Sequence, residues 1–244
     1  MSFPDHSNGT ADTASLVLAG GRRSARRARA AVLLLHGGRA DALEPPAALN
    51  LPALRMKPFA TSIHRAVAHE GVLVGRVRYR HRGWNGRHAH PVADTHRALN
   101  ELYEAAGLVP VVLVGHSMGA RAALRAAADP QVRGVIALAP WCPPGEPASH
   151  LAGRTVIALH DESDRITRAG DTWSYLTRAQ AAGADAYGLR MPYGGHTMMR
   201  RARQWQRLAT EATTGLLGLT SLPNPLAGSG AWSGVPVPAA ARSR

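Results

Sequence analysis

Val111-Val112-Leu113-Val114-Gly115-His116-Ser117-Met118-Gly119-Ala120 passes from a strand pattern to a helix pattern with one serine at the joint. Val111–Val114 is an unbroken apolar run, the signature of a strand covered on both faces. It leads without a spacer into G-x-S-x-G, and Arg121–Ala128 continues as an alanine-rich helical pattern. A chain that turns this abruptly leaves the serine on a strained bend, and small neighbours let the backbone close around it. The bend exposes the hydroxyl, and the first N–H groups of the following helix are free beside it. Ser117 is therefore the candidate nucleophile.

Working outward, similar β-rich runs recur at Ser15–Ala19, Ala31–His36, Val72–Arg78, Gly134–Ala139, Thr155–His160 and Ala186–Met191. Helical patterns occupy Phe59–His69, Val92–Ala106, Met118–Ala128, Ala169–Ala182 and Thr197–Thr213. Apolar strands alternating with crossover helices predict an α/β fold in a single domain. Its sheet has about seven mostly parallel strands with helices on both faces. The domain is expected over residues 13–216, with a flexible polar start at 1–12 and a flexible Pro/Gly/Ser-rich tail at 217–244. Arg22–Arg29 ahead of an apolar run imitates an export signal. The run stops at His36-Gly37-Gly38, roughly half the length such a signal needs, so a basic hairpin loop feeding a buried strand is expected.

A nucleophilic serine needs an oxyanion hole, a base and an acid that orients the base. Ala31–Leu35 ends in His36-Gly37-Gly38-Arg39, whose glycines let backbone N–H groups approach a developing oxyanion. Thr155–His160 runs into Asp161-Glu162-Ser163-Asp164, which puts acids on a loop at a strand end. Tyr193-Gly194-Gly195-His196 follows the last strand run and supplies a histidine in a pliant loop.

With these residues in the order serine, aspartate, histidine, the chain resembles the α/β-hydrolase family over most of residues 15–214. The resemblance implies Ser117 as nucleophile, His196 as general base and then acid, and Asp164 as its orienter. The family's late pattern is like H-G-x-x-D. Here His160-Asp161-Glu162-Ser163-Asp164 carries aspartate in place of the glycine, which makes Asp161 a competitor for the acid. The backbone N–H groups of Gly38 and Met118 are the implied oxyanion hole. Together these imply cleavage of a carboxylic ester through an acyl-enzyme, with no cofactor and no metal. A thioesterase or peptidase of the same fold, and a non-catalytic binding relative, are the alternatives. Cys142–Gly153 is too short for a helical lid, and His-Gly-Gly-Arg departs from the triple-glycine lipase and esterase branch. The resemblance is thus to capless serine esterases and to dienelactone-hydrolase-like and serine-peptidase-like members, open to a small-molecule acyl substrate.

Composition narrows the remainder. The 244 residues carry 29 Lys plus Arg against 16 Asp plus Glu, a formal charge of +13, and Lys57 is the only lysine. Arginine, alanine, glycine and proline share GC-rich codons, so much of this charge follows base composition. Only weak, non-specific attraction to nucleic acid is expected. Arg39, Arg82 and Trp84 are candidate substrate contacts, since guanidinium groups favour carboxylate and phosphate. His81, His88, His90 and His96 lack the fixed spacing of a metal motif, and His36 and His116 are expected to hold their own turns. Cys142 stands alone, so neither an intramolecular disulfide nor a cysteine-rich zinc site is possible. No apolar run reaches the roughly 18 residues of a membrane span, and a cytoplasmic location is the expectation.

Overall fold

The computed structural model describes residues 14–222 apart from 20, 21 and 48. The apolar runs become strands Leu16–Leu18 (β1), Ala30–Leu35 (β2), Val72–Val77 (β3), Val111–His116 (β4), Val132–Leu138 (β5), Thr155–His160 (β6) and Asp185–Arg190 (β7). They form one seven-stranded sheet in the order β1-β3-β2-β4-β5-β6-β7. Every pairing is parallel except that of β1 with β3. β2 and β4 are buried along their whole length, as their continuous valine and leucine runs require.

Five helices cover the sheet: Leu51–Ala66 (α1), His90–Ala106 (α2), Met118–Ala126 (α3), Ala169–Ala181 (α4) and Ala202–Leu216 (α5). One core joins the sheet to α2, α3 and α4 through Leu99, Leu102, Leu124, Tyr175 and Leu176. The other joins it to α1 and α5 through Met56, Phe59, Ile63, Trp205 and Leu208. From β2 the chain crosses to β3 on one side, then returns to β4 on the other. The loops leaving β2 and β4 therefore diverge, which opens a crevice at the carboxyl ends of these strands. Leu35 pairs with Gly115 in the register, so His36-Gly37-Gly38 emerges beside Ser117.

The α/β class and the mostly parallel sheet match the expectation; several boundaries do not. α1 begins at Leu51 rather than Phe59. Pro52 sits in its first turn, where a missing N–H is tolerated, while Pro58 lies inside and breaks the helical pattern in the sequence. α5 begins at Ala202 rather than Thr197, because residues 197–201 form turns with Met198 and Arg201 at positive φ. Nor is the basic segment a hairpin loop: β3 lies between β1 and β2, and the connection includes the short helix Arg22–Arg27, with Ala25 buried. Residues 217–222 of the expected tail turn back on α5, where Leu219 N–H donates to Thr214 O at 3.0 Å. Residues 1–12 and 223–244 lie outside the described residues. Among those described, no helix is long and apolar enough to cross a membrane.

Candidate active site

Ser117 stands between β4 and α3 with φ 54° and ψ −119°. A residue with a Cβ rarely adopts such angles, and holding it there costs on the order of 1–3 kcal/mol. Hydrogen bonds on both sides fix the bend. Ser117 N–H donates to Leu138 O at 3.0 Å, and Ser117 O accepts from Arg121 N–H at 3.1 Å and Trp141 N–H at 3.2 Å. The glycines of G-x-S-x-G are steric necessities. A Cβ on Gly115 would lie 2.5 Å from Ala120 Cα, and one on Gly119 would lie 2.4 Å from the carbonyl oxygens of Leu35 and His36. The first turn of α3 thus presses directly on the ends of β4 and β2.

Asp164 and His196, far apart in the chain, meet at the ends of β6 and β7. His196 Nδ1–H donates to Asp164 Oδ2 at 2.9 Å. Thr167 Oγ1 lies 2.9 Å from the same oxygen and 3.1 Å from His196 Nδ1, so its hydroxyl donates to the carboxylate and accepts from the ring. His160 Nε2–H donates to Asp164 Oδ2 from the buried side at 3.2 Å, while its Nδ1 accepts from Thr172 Oγ1 at 2.8 Å. The N–H groups of Ile166 and Thr167 complete the set on Oδ1. Burial opposes ionisation of Asp164. The hydrogen bonds from His160, His196 and Ile166 outweigh it and hold the carboxyl far below the usual carboxylate range. Among the described residues neither Ser117 Oγ nor His196 Nε2 makes a hydrogen bond. Nucleophile–base contacts are often long before substrate arrives.

Asp161, the competing acid, does something else. Its Oδ1 accepts from Ser163 N–H and Oγ–H, both at 2.8 Å, and its Oδ2 accepts from Gly195 N–H at 2.7 Å. It therefore ties the acid loop to the histidine loop. That loop is strained as well, with Tyr193 and Met198 at positive φ and Gly194 too close to Trp205 to carry a Cβ. His116 secures it from beneath: Nε2–H donates to His196 O at 2.9 Å. Burial, with His196 beside it, pushes the His116 pKa down to about 3, so the ring is neutral, and among the described residues its buried Nδ1 has no partner. His36 likewise holds its turn, with Nδ1–H donating to Gly37 O at 2.7 Å.

Gly38 and Met118 adjoin one another, since a Cβ on Gly38 would lie 2.4 Å from Met118 Cε and 2.3 Å from Arg82 O. Among the described residues the N–H groups of Gly38 and Met118 have no acceptor. The three candidate substrate contacts fare differently. Trp84 is only 3% exposed, and its ring is covered by the Arg121 guanidinium at 3.9 Å, with Trp141 edge-on at 6.0 Å. Arg121 in turn pairs with the buried Glu146 at 2.6 Å, and Arg125 pairs with the same carboxylate. Trp84 therefore belongs to packing rather than to an open cleft. Arg39 is exposed, with its backbone bound to the Arg82–Trp84 turn, and Arg82 faces Glu44 at 3.8 Å. Cys142 is buried, which pushes its thiol up to about 12 and removes it as a second nucleophile.

His160, Thr167 and Asp161 were not legible as supports of this site. The sequence signals were their spacing to Asp164: a histidine four residues before, and a threonine three after, in position to bond the carboxylate locally.

Comparison with known proteins places this geometry in context. The family model described as alpha/beta hydrolase family matches residues 32–241. A serine hydrolase without lid from Xanthomonas campestris is 19% identical, with a TM-score of 0.54 over 81% of this chain and 84% of that one. A protein of unknown function from Agrobacterium tumefaciens is 16% identical, with a TM-score of 0.61 over 82% of this chain and 90% of that one. Est1E from Butyrivibrio proteoclasticus, with ferulic acid bound, is 10% identical, with a TM-score of 0.59 over 83% of this chain and 95% of that one. No curated protein matches. At these identities the solved structures share the fold, and the family match over residues 32–241 carries the assignment: this chain belongs to the α/β-hydrolase family.

Proposed function

We propose that the protein is a serine hydrolase that cleaves a carboxylic ester, or a related acyl bond, of a small molecule through an acyl-enzyme on Ser117. The observation that carries this reading is the pairing of His196 Nδ1 with an ionised, fully hydrogen-bonded Asp164, on the rim that also presents the strained Ser117. In the mechanism, Ser117 Oγ attacks the acyl carbonyl and its proton passes to His196 Nε2. Asp164 keeps Nδ1 protonated and stabilises the imidazolium that forms. The oxyanion accepts from Gly38 N–H and Met118 N–H, each such donor contributing on the order of 3 kcal/mol to barrier lowering. Collapse breaks the ester C–O bond, and His196 returns its proton to the leaving alkoxide. Water then attacks the acyl-enzyme with His196 as base, and Ser117 is regenerated. Among the described residues the segment between β5 and β6 is short, carries only the single turn Ser149–Leu151, and is pinned by Glu146 to Arg121 and Arg125.

A fluorophosphonate probe tests the reading directly. Labelling of one site, mapped to the peptide containing Ser117 and abolished in Ser117→Ala, is expected. A folded wild-type protein that is not labelled would refute it. A panel of short- and long-chain p-nitrophenyl esters then defines the acyl preference.

A further inference from the structure

Arg76 lies near the end of β3, and Arg78 and Arg80 follow just beyond it. With His36 and Asn50 they line a cavity of about 610 Å³ at the start of α1, and among the described residues no aspartate or glutamate lines it. Arg80 is committed to the buried Asp94 at 2.8 Å. Arg76 and Arg78 are exposed and have no ion pair among the described residues. Cations gathered around one concavity with no acid among them repel each other, and an anion relieves that repulsion. Asn50 makes no side-chain cap on α1, so the free N–H groups of the first turn add partial positive charge where Ala53 meets the cavity. A second cavity of about 250 Å³ shares Ala53 and Arg76 with the first; Leu18, Leu34, Met56, Ala60 and Val74 make most of its wall apolar, and Lys57 adds a further cation.

We propose that these adjoining cavities bind an amphiphilic organic anion, its carboxylate or phosphate on Arg76 and Arg78 and its short aliphatic part in the apolar cavity. Guanidinium groups match both head groups through paired N–H donors. The apolar neighbour distinguishes such a ligand from a free inorganic ion. The concave form distinguishes it from a nucleic-acid backbone, which needs an extended cationic track. Arg76, Arg78 and the apolar wall lie outside the Ser117 machinery, although His36, which also lines the first cavity, holds the turn that presents Gly38.

Calorimetric titration of the full chain with hexyl phosphate, hexanoate, inorganic phosphate and hexanol tests it. Either six-carbon anion should bind at least tenfold more tightly than inorganic phosphate, and hexanol should show no saturable binding. The tighter of the two anions identifies the head group. Arg76→Gln with Arg78→Gln should weaken the anions tenfold or more. Ala60→Phe, which fills the apolar cavity, should weaken the six-carbon anion without changing inorganic phosphate. Both variants should retain the circular dichroism and fluorophosphonate labelling of wild type. Equal binding by the double arginine variant, hexanol binding as tightly as the anions, or absence of binding by any of them would overturn the proposal. So would tighter binding of a single-stranded oligonucleotide that is indifferent to Ala60→Phe. Titrations repeated on Ser117→Ala keep the two readings apart: failure of labelling refutes the hydrolase, while anion binding is judged on both proteins.

Discussion

His116 makes stability at mildly acid pH a test of how the site is built. Its ring is wholly buried beneath His196, donates through Nε2 to the His196 carbonyl, and among the described residues has no partner at Nδ1. A proton on Nδ1 would place an unpaired charge against Gly37, whose Cβ, if it had one, would lie 3.1 Å from that nitrogen. The folded ring therefore stays neutral down to about pH 3, while in the unfolded chain it takes up a proton near pH 6.5. Because the folded value is depressed, the contribution is intact above pH 6.5 and is lost as pH falls from there toward the folded value. Between pH 7.5 and 5.0 the unfolded state gains about 2 kcal/mol from this one proton, a figure set mainly by the unfolded pKa.

Urea unfolding at the two pH values, in wild type and His116→Gln, isolates that quantity. Glutamine keeps a side-chain N–H in reach of the His196 carbonyl and cannot titrate. The pH 7.5 to 5.0 stability loss should be about 2 kcal/mol smaller in the variant than in wild type. His36, whose pKa burial also lowers, contributes equally to both proteins and cancels. Asp161 and Asp164 are held below the ordinary carboxylate range, so their stabilisation is present above about pH 4 and lost below it, outside the window. An identical pH dependence in the two proteins would refute the placement of a neutral, unpartnered histidine under the site.

Asp164→Asn should lower kcat of ester hydrolysis by roughly 10³–10⁴, whereas Asp161→Asn, which loosens only the bond to Gly195, should cost far less; the reverse order would make Asp161 the acid. Gly119→Ala should destabilise the fold and abolish fluorophosphonate labelling, because its Cβ would collide with the Leu35 and His36 carbonyls, and normal labelling would contradict the packing of α3 on β2. Glu146→Ala strands the partly buried Arg121 and should cost about 3–5 kcal/mol in urea unfolding. A loss under 1 kcal/mol would show that the Trp84–Arg121–Trp141 stack holds itself.

What was legible in the sequence was whatever local pattern enforces. β2, β4, β5 and β6 are buried on both faces, so their apolar runs had no alternative reading. The elbow was legible because a serine between strand and helix tolerates only glycine at 115 and 119, a requirement written into five residues. α1 was half hidden because Pro52 and Pro58 are local breakers that its packing through Met56, Phe59 and Ile63 overrides. The supports of the acid were hidden for a different reason. His160 and Thr167 act only because β6 ends at the same level as the histidine loop, and that is a fact of register rather than of pattern.

The arginines show where pattern ends and pairing begins. Counted in the sequence they are one class, a surplus giving +13. In the fold they separate by the acids they reach. Arg121 and Arg125 neutralise the buried Glu146, and Arg80 and Arg97 neutralise the buried Asp94. Those four are obligatory, since a buried carboxylate left alone would shift the balance of the whole domain by several kcal/mol. Arg82 has only a long, exposed approach to Glu44, which contributes little. Among the described residues Arg76 and Arg78 have neither kind of partner, and both line the same cavity. A cation whose position is set by the sheet, and whose charge no acid answers, is where a ligand's anion finds its place. Base composition explains why arginine is abundant in this chain, but not why these two line one cavity.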